Sequence, residues 1–355
     1  MIGIGVMSGS SLDGIDIALV EFVDYKNDWQ LLQCESVEMS SLLVEKLSNT
    51  PDQNAIQIAD TQNCFSVFVA DSVIQFRSKL DTALNEKIEF VGVHGHTVLH
   101  LIEHNFSWQL INGGYLASTI GLDVVCDFRN QDVALEGQGT PMAVIADRDL
   151  YPDYDAYINL GGIANLSKKQ NQKWMSYDAF PCNQILNYFS KKVGQPFDKD
   201  GLISRTGQVN SELLNALKRQ EYLLNPPPKS LDNNWIKNNW LKSMLLHELS
   251  SEDFLRTYVE FMAQQIIFEI KSKSKILLTG GGAKNLFLIA RLEALNTKIQ
   301  FVIPKKEIID FKEAVLIAYA SYLRLSMKTN FIADATGAQR DTIGGAHYIG
   351  RNKTV

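Results

Sequence analysis

The sequence predicts a two-domain α/β protein in which two glycine hairpins grip phosphate from both sides of a cleft. Three observations predict it. The chain opens on a strand, a polar loop and a second strand; residues 156–166 repeat that design; and a triple glycine at 280–282 joins a buried strand to a helix. A chain of 355 residues is long enough for two domains with sizeable cores.

The opening hairpin is the first element. Residues 2–7 are β-branched and glycine-bearing, residues 15–22 alternate as a strand does, and Asp13-Gly14 is a strong hairpin signal. The loop is either a plain turn or an anion nest of N–H groups and hydroxyls. A Walker loop or a dinucleotide fingerprint would need a helix after the glycines. The candidate phosphate ligands are Gly9, Ser10, Ser11, Asp13 and Gly14.

Composition and charge narrow the class of protein. Hydrophobic residues make up 45% of the chain, and a net charge of −6 without a long basic run argues against a nucleic-acid partner. The four cysteines form no C-x-x-C pair, which is typical of reduced thiols in the cytoplasm. The chain opens directly into a strand, and its apolar runs are too short to cross a membrane. We therefore expect a cytoplasmic protein without a membrane partner.

Histidines follow a short buried strand, Glu89 to Val93, at the end where α/β sheets place their ligands. His94 and His96 have the i, i+2 spacing of zinc ligands, but a metal hydrolase would need further ligands at strand ends downstream, and His247 and His347 do not supply them. We favour His96 as a group that positions a substrate. A hydrogen-bonded surface histidine is the simpler alternative.

The next strand, Gly121 to Phe128, contains Asp127 at its end and is followed by Arg129 and Asp132. These three residues form either an ion-pair cluster or a set of sugar ligands. The glycine-rich turn at 136–141 is interpreted as the crossing between domains. The expected division is therefore 1–130 with about 326–355 for the first domain, and 131–325 for the second.

The second hairpin carries Gly161, Gly162 and Asn165 as candidate phosphate ligands. Beyond it, Asp178 is expected at the end of a strand (174–177), and Asn183 near the N-cap of the following helix. The carboxylate of Asp178 could simply cap that helix. If it faces the cleft, it is the best-placed general base in the chain.

Two further segments could touch a nucleotide. The strand Ile276 to Thr279 enters Gly280, Gly281 and Gly282, which let a ring or ribose approach the backbone closely, with Lys284 just beyond. A tight strand-to-helix connection is the alternative, although one glycine would suffice for it. In the rigid segment Pro226 to Ser230, Lys229 could reach a phosphate, but a surface lysine is the simpler interpretation.

Taken together, these motifs resemble those of the anhydro-N-acetylmuramic acid kinases, over almost the whole chain and in the same order. The resemblance is carried by residues 6–14, 94–97, 127–132, 137–139, 159–165, 178–183, 227–230, 280–285 and 336–338. It implies a two-domain actin-like ATPase (ribonuclease H-like) fold with an interdomain cleft. It also implies Mg-ATP as cosubstrate, with magnesium held by the nucleotide rather than by protein side chains alone, and a homodimer.

The implied reaction opens the 1,6-anhydro ring of a muramyl sugar and phosphorylates O6, as in cell-wall recycling. By analogy, Asp178 takes a proton from the water that attacks the anomeric carbon. The two hairpins hold phosphates, and Gly280 to Lys284 flank the nucleotide. The implied sugar ligands are His96, Asp127, Arg129 and Asn183.

The chain also departs from that pattern. Phe180 and Cys182 stand where two glycines are expected close to the ligand, His96 replaces a glutamine and Leu99 an arginine. The alternatives are therefore a kinase for another anhydro-sugar, such as levoglucosan, and a catalytically silent ATP-binding regulator.

Overall fold

The computed structural model describes residues 1–9, 12, 14–23, 28–227, 229–231, 233–271 and 273–350. The chain divides into two compact units. Unit 1 comprises Met1–Pro152 and Phe311–Val355, and unit 2 comprises Asp153–Asp310. Each unit has its own sheet and its own hydrophobic core.

Strands in the described part of the chain are β1 Ile2–Ser8, β2 Gly14–Phe22, β3 Trp29–Glu38, β4 Ile88–Val93, β5 His96–Leu101, β6 Phe106–Leu110, β7 Asp123–Cys126, β8 Ala156–Leu160, β9 Ile163–Gln170, β10 Lys173–Pro181, β11 Lys275–Thr279, β12 Gln300–Val302 and β13 Ala346–Tyr348.

The α-helices in the same ranges are α1 Ser41–Ser48, α2 Ala55–Ser78, α3 Thr82–Glu86, α4 Gly113–Ile120, α5 Asn130–Val133, α6 Ala143–Leu150, α7 Asn183–Lys192, α8 Ser211–Lys218, α9 Glu221–Leu224, α10 Asn233–Trp235, α11 Lys242–Met244, α12 Ser251–Glu269, α13 Leu286–Leu295, α14 Lys306–Leu325 and α15 Ala333–Thr336. A π-helical stretch, Ile236–Leu241, joins α10 to α11. No helix of the described residues is both long and apolar enough to cross a membrane.

The main sheet of unit 1 has the order β13-β7-β4-β1-β2-β3. Strands β1, β2 and β3 form an antiparallel meander, and β4 and then β7 add in parallel beside β1. The opening hairpin is therefore observed as expected, with Ser8 of β1 opposite Ile15 of β2. The chain's end also returns to this unit, because β13 pairs antiparallel with β7.

The sheet of unit 2, β10-β9-β8-β11-β12, repeats the same design. Strands β8, β9 and β10 form the antiparallel meander, and β11 and β12 follow in parallel beside β8. This duplication, with a glycine hairpin between the first two strands of each unit, confirms the predicted α/β fold class of actin-like type.

The units divide at other residues than the sequence suggested. Helix α14 is tied to α6 by buried polar contacts: Lys312 Nζ donates to Asp147 Oδ1 at 2.6 Å, and the Tyr319 hydroxyl to Asp149 Oδ2 at 3.0 Å. These contacts place residues 131–152 and 311–325 in unit 1, whereas the sequence had suggested the second domain.

The glycine-rich turn that was interpreted as the crossing lies inside unit 1. Its Gly139 N–H donates to Asp132 Oδ2 at 2.8 Å, and Gln138 N–H to the Thr336 carbonyl at 2.9 Å. The Thr336 hydroxyl completes the cluster on Asp132 Oδ1 at 2.8 Å. The chain passes between the units at Pro152 and Asp153 instead.

Candidate active site

The first hairpin is described only at its ends. Of its predicted phosphate ligands, Ser10, Ser11 and Asp13 lie outside the described residues. Gly14 pairs with Glu38 of β3, and a Cβ at Gly14 would lie 2.4 Å from the carbonyl oxygen of Val37. The close approach of β3 therefore requires a glycine at position 14, which is a packing role.

The second hairpin is fastened to the start of α7. The carbonyl oxygen of Gly161 accepts from Asn183 N–H at 3.1 Å, and that of Gly162 from Cys182 and Gln184 N–H at 2.9 and 3.2 Å. The Asn183 side chain donates from Nδ2 to the Leu160 carbonyl at 2.9 Å. Because α7 uses these N–H groups on the turn, its first residues and the Gly161-Gly162 turn form one rigid corner.

Asp178 lies within β10 and not at the end of a strand, so its predicted placement is wrong. Strand β10 continues to Pro181 because the residues after Asp178 still pair with β9, beyond a register shift between Asp178 and Phe180. In consequence Asn183 is the first residue of α7, and Cys182 precedes it as the N-cap residue. The helix-capping alternative for Asp178 therefore finds no support.

The carboxylate of Asp178 is held from two sides. Asn165 Nδ2 donates to Oδ1, and the backbone N–H of Leu231 donates to Oδ2 at 2.8 Å. Desolvation raises the pKa of Asp178 to about 6, although both hydrogen bonds favour the ionised form and lower it. A carboxyl group with this pKa is ionised at neutral pH and still basic enough to accept a proton.

The triple glycine packs against the rigid corner at Leu160. Gly280 has φ +78°, and a Cβ there would lie 2.4 Å from Asn159 Oδ1. A Cβ at Gly282 would lie 2.8 Å from Leu160 Cβ, whereas one at Gly281 would find only Asn183 Nδ2, at 3.7 Å. Two of the three glycines are thus required by packing, and Gly281 has open space beside it.

Lys284 lies apart from this group. Its Nζ forms an ion pair with Asp310 Oδ1 at 2.5 Å, and both side chains are partly exposed. The structure thus brings together Gly161, Gly162, Asn165, Asp178, Asn183 and the triple glycine in unit 2, and it pairs Lys284 elsewhere.

Phe180 and Cys182, the two departures from the expected glycines, are core residues. Phe180 is 1% exposed and packs its ring against Phe261, with centroids 5.7 Å apart, and Cys182 is fully buried. Burial also raises the pKa of the Cys182 thiol to about 12.

In unit 1, polar side chains lie at the ends of β1, β4 and β7. Burial lowers the pKa of His94 to about 3, with the charges of Arg129 and His96 adding to the effect. Asp127 has φ +55° and accepts from Asn130 Nδ2 at 2.6 Å, and desolvation raises its pKa. His96, half-buried at the start of β5, has its pKa lowered by desolvation.

Four buried polar atoms in this region of unit 1 have no hydrogen-bond partner among the described residues: Ser8 Oγ, His94 Nε2, Gln109 Oε1 and Arg129 Nε. Desolvation lowers the pKa of Arg129 to about 10, with Glu313 opposing the shift, so the guanidinium remains charged at neutral pH. Unsatisfied buried polar atoms are costly, and their concentration here indicates a binding site for a polar ligand.

Glu313 is a candidate that the sequence reasoning missed. It lies on α14, and burial raises the pKa of its carboxyl group, with the charge of Asp16 adding to the shift and the charges of Lys312 and Arg129 opposing it. The available signal was an acidic residue placed directly before the apolar run Ala314 to Ala320. The described residues contain no group of three histidine, cysteine or acidic side chains that could hold a metal.

Known proteins of one family match this chain over almost its whole length. The sequence profile of the family described as "Anhydro-N-acetylmuramic acid kinase" matches residues 1–350. Proteins of that name from Sulfurimonas denitrificans, Mannheimia succiniciproducens and Vibrio cholerae are 33%, 31% and 32% identical to this chain. The alignments cover 97% of this chain and 97–98% of each relative.

Solved structures are more distant. A ROK family glucokinase from Streptomyces griseus, in complex with glucose and AMPPNP, is 11% identical over 90% of this chain and 98% of its own, with a TM-score of 0.42. The activator of 2-hydroxyisocaproyl-CoA dehydratase from Clostridium difficile, with bound ADPNP, is 12% identical over 92% of this chain and 97% of its own, with a TM-score of 0.43.

Proposed function

Because this chain belongs to the anhydro-N-acetylmuramic acid kinase family, we infer that it is an ATP-dependent anhydro-sugar kinase. In the proposed reaction, water adds to the anomeric carbon of 1,6-anhydro-N-acetylmuramic acid and the bond from that carbon to O6 breaks. O6 then takes the γ-phosphoryl group of ATP, giving the 6-phosphate and ADP.

The observation that carries this proposal is the Asp178 carboxylate, held by two donors and with a pKa of about 6. Asp178 takes the proton of the attacking water. A fixed base of this pKa provides general-base catalysis near neutral pH, an effect of typically 10²- to 10⁴-fold. The phosphoryl half of the reaction needs alignment and charge neutralisation more than further acid–base groups.

We assign phosphate binding to the two hairpins, through Gly9, Ser10, Ser11, Asp13 and Gly14 in one and Gly161 and Gly162 in the other. The nucleotide approaches the chain at the triple glycine, where Gly281 offers open space. Mg²⁺ accompanies ATP and neutralises the phosphate charge, with no protein side chain assigned as a ligand. Lys284, paired with Asp310, would have to exchange partners to reach a phosphate.

Two predicted ligands take other roles in this proposal. Asn165 donates to Asp178 and therefore orients the base. Asn183 donates from Nδ2 to the Leu160 carbonyl and accepts at Oδ1 from the Cys182 thiol at 3.8 Å, and it therefore holds the corner beneath the triple glycine.

The sugar is assigned to the polar groups of unit 1, namely His96, Asp127 and Arg129. A guanidinium with its Nε buried and without a partner suits a carboxylate ligand. A muramyl sugar carries such a carboxylate and levoglucosan does not, so this observation favours the muramyl substrate. The core positions of Phe180 and Cys182 remove the reason for preferring a silent regulator.

The decisive experiment measures ADP release from Mg-ATP with 1,6-anhydro-N-acetylmuramic acid, levoglucosan and N-acetylmuramic acid in parallel. Turnover with the anhydro-muramyl sugar is the expected result, and turnover with levoglucosan only would favour the second kinase. ATP binding without turnover on any sugar would favour the regulator. We further propose that the enzyme works in the cytoplasm and that it forms a homodimer. Analytical ultracentrifugation can test the oligomeric state.

A further inference from the structure

The proposed base, Asp178, lies on an edge strand of the unit 2 sheet. Strand β10 is at the edge of the unit 2 sheet, with β9 on one side. On its other side, Asp178 N–H donates to the Lys229 carbonyl at 3.1 Å, and Leu231 N–H donates to Asp178 Oδ2 at 2.8 Å. The described residues 229–231, here called the base strap, thus supply one acceptor to the backbone of Asp178 and one donor to its carboxylate.

The strap is fixed by the side chain of Lys229. Its Nζ donates to the carbonyl oxygens of Tyr222 and Leu223, at 3.3 and 3.4 Å, at the end of α9. The same ammonium lies 4.9 Å from the ring centroid of Tyr222 and 5.6 Å from that of Tyr177. An ammonium between carbonyl oxygens and two aromatic faces is held by several weak attractions at once.

The aromatic residues that hold Lys229 are also connected to Asp178. The Tyr222 hydroxyl donates to the Asp178 carbonyl at 2.7 Å, and Tyr177 is the residue before Asp178 in β10. Lys229 therefore connects the base strap with α9 and β10 next to Asp178. Neither interpretation made from the sequence, a phosphate ligand or a plain surface lysine, describes this position.

The other charged groups near the strap come from α12 and β9. Glu269 of α12 accepts from the Tyr177 hydroxyl at 2.8 Å, and Lys168 of β9 lies 3.9 Å from its carboxylate. Burial lowers the pKa of Lys229, whereas the charge of Glu269 raises it and that of Lys168 lowers it. The charge of Asp178 acts on Tyr222, whose pKa desolvation raises and the Asp178 charge raises further, and Lys229 lies against the ring of that tyrosine.

We propose that Lys229 is a positioning residue for the general base: by anchoring the base strap, it keeps the Leu231 N–H on the carboxylate of Asp178. This inference rests on the proposed role of Asp178. The hydrogen bond to Leu231 favours the ionised carboxylate, so a strap that detaches leaves the base with a raised pKa and one oxygen free to rotate. Lys229 itself touches no reacting atom.

The test compares Lys229→Met with the wild-type enzyme through the pH profile of kcat/KM. Methionine keeps the apolar stem but removes the charge and the donors. We expect kcat to fall about tenfold or more and the acid limb to move up by roughly half a unit or more, since a hydrogen bond to a charged group contributes on that order. The KM for ATP should not change. Lys229→Arg, which can still donate and stack, should restore most of both.

The matched control is Lys271→Met. The Nζ of Lys271 lies 3.7 Å from the ring centroid of Phe268 on the same unit, so the change removes a cation–π contact that shares no residue with the base strap or its anchor. It should leave the acid limb where it is. If Lys229→Met does not fold, Lys229→Gln carries the test, because it keeps a donor for the carbonyls and should show a smaller shift in the same direction.

Asp178→Asn, assayed beside these variants, separates the two proposals. If Asp178→Asn turns over normally, the proposed base is wrong. If Asp178→Asn is inactive while the Lys229 variants keep the wild-type kcat and acid limb, the assignment of Lys229 is overturned and the proposed function stands. A fall in kcat with an unmoved acid limb also overturns it, because that result indicates general loss of structure.

Discussion

Asn165 and Asp178 stand opposite each other on β9 and β10, and the side-chain amide of Asn165 donates to the carboxylate of Asp178. The contact links the second hairpin to the proposed base. In the proposed function the hairpin has two roles, because its turn is assigned to phosphate while its second strand orients a carboxylate. A shift of either strand would therefore disturb both halves of the reaction.

The first prediction concerns the pH dependence of turnover. Because the pKa of Asp178 is about 6 and its ionised form is the proposed base, kcat/KM should fall tenfold per pH unit below about pH 6. Asn165→Ala removes a donor that lowers this pKa, so its acid limb should lie at higher pH. Steady-state assays from pH 5 to 8 measure both; an acid limb that Asn165→Ala leaves in place would contradict the assigned contact.

The second prediction concerns stability. The folded-state pKa of Asp178, about 6, exceeds the ordinary value of 3.8, so between these pH values the folded protein binds more protons than the unfolded chain. Stability contributed by this group is therefore lost as the pH rises from about 4 to 6. Asp178→Asn abolishes that loss and should be more stable than wild type at pH 7, by up to about 3 kcal/mol for a shift of this size, less the cost of any hydrogen bond that the amide cannot make.

Thermal melts at pH 4 and pH 7 check this expectation. The stability gained by Asp178→Asn should be present at pH 7 and shrink towards pH 4, where the wild-type carboxyl group is already protonated. An equal difference at both pH values would show that the carboxylate is not strained by desolvation. Nucleotide affinity, measured by calorimetry on the same samples, should remain close to wild type while turnover is lost.

The third prediction separates packing from nucleotide contact in the triple glycine. Gly280→Ala forces a left-handed φ and a contact with Asn159, so it should lower the unfolding free energy by roughly 1–3 kcal/mol. Gly281→Ala meets open space and should leave the melting temperature unchanged, yet raise the KM for ATP several-fold. Unchanged ATP affinity in folded Gly281→Ala would remove the nucleotide from this turn.

The fourth prediction concerns Arg129. Arg129→Met removes the proposed carboxylate partner, so the KM for 1,6-anhydro-N-acetylmuramic acid should rise about 10- to 100-fold, as the loss of a charge-assisted pair costs. Any activity on levoglucosan, which has no carboxylate, should change far less. Arg205→Met, at an arginine over Phe287 in unit 2, is the control. Equal losses on both sugars would assign Arg129 a structural role.

Much of the fold was readable from the sequence because hairpins and strand-to-helix turns are local. Strands β1 and β2, and likewise β8 and β9, are neighbours along the chain, and their antiparallel pairing confirms both predicted hairpins. Alternation and turn chemistry act over a few residues, so these signals survive whatever the rest of the chain does.

What the sequence by itself determined was therefore the order of the elements, the fold class and, through its motifs, the family. The tertiary structure decided which partners each polar group has. Asp178 receives one partner from 13 residues away and another from 53 residues away, and Lys229 finds aromatic faces on two different elements. Such partners are set by the pairing of an edge strand with a distant segment, and no local pattern encodes that pairing. For the same reason, Gly14 and Phe180 revealed their packing roles only once the strands and helices around them were in place.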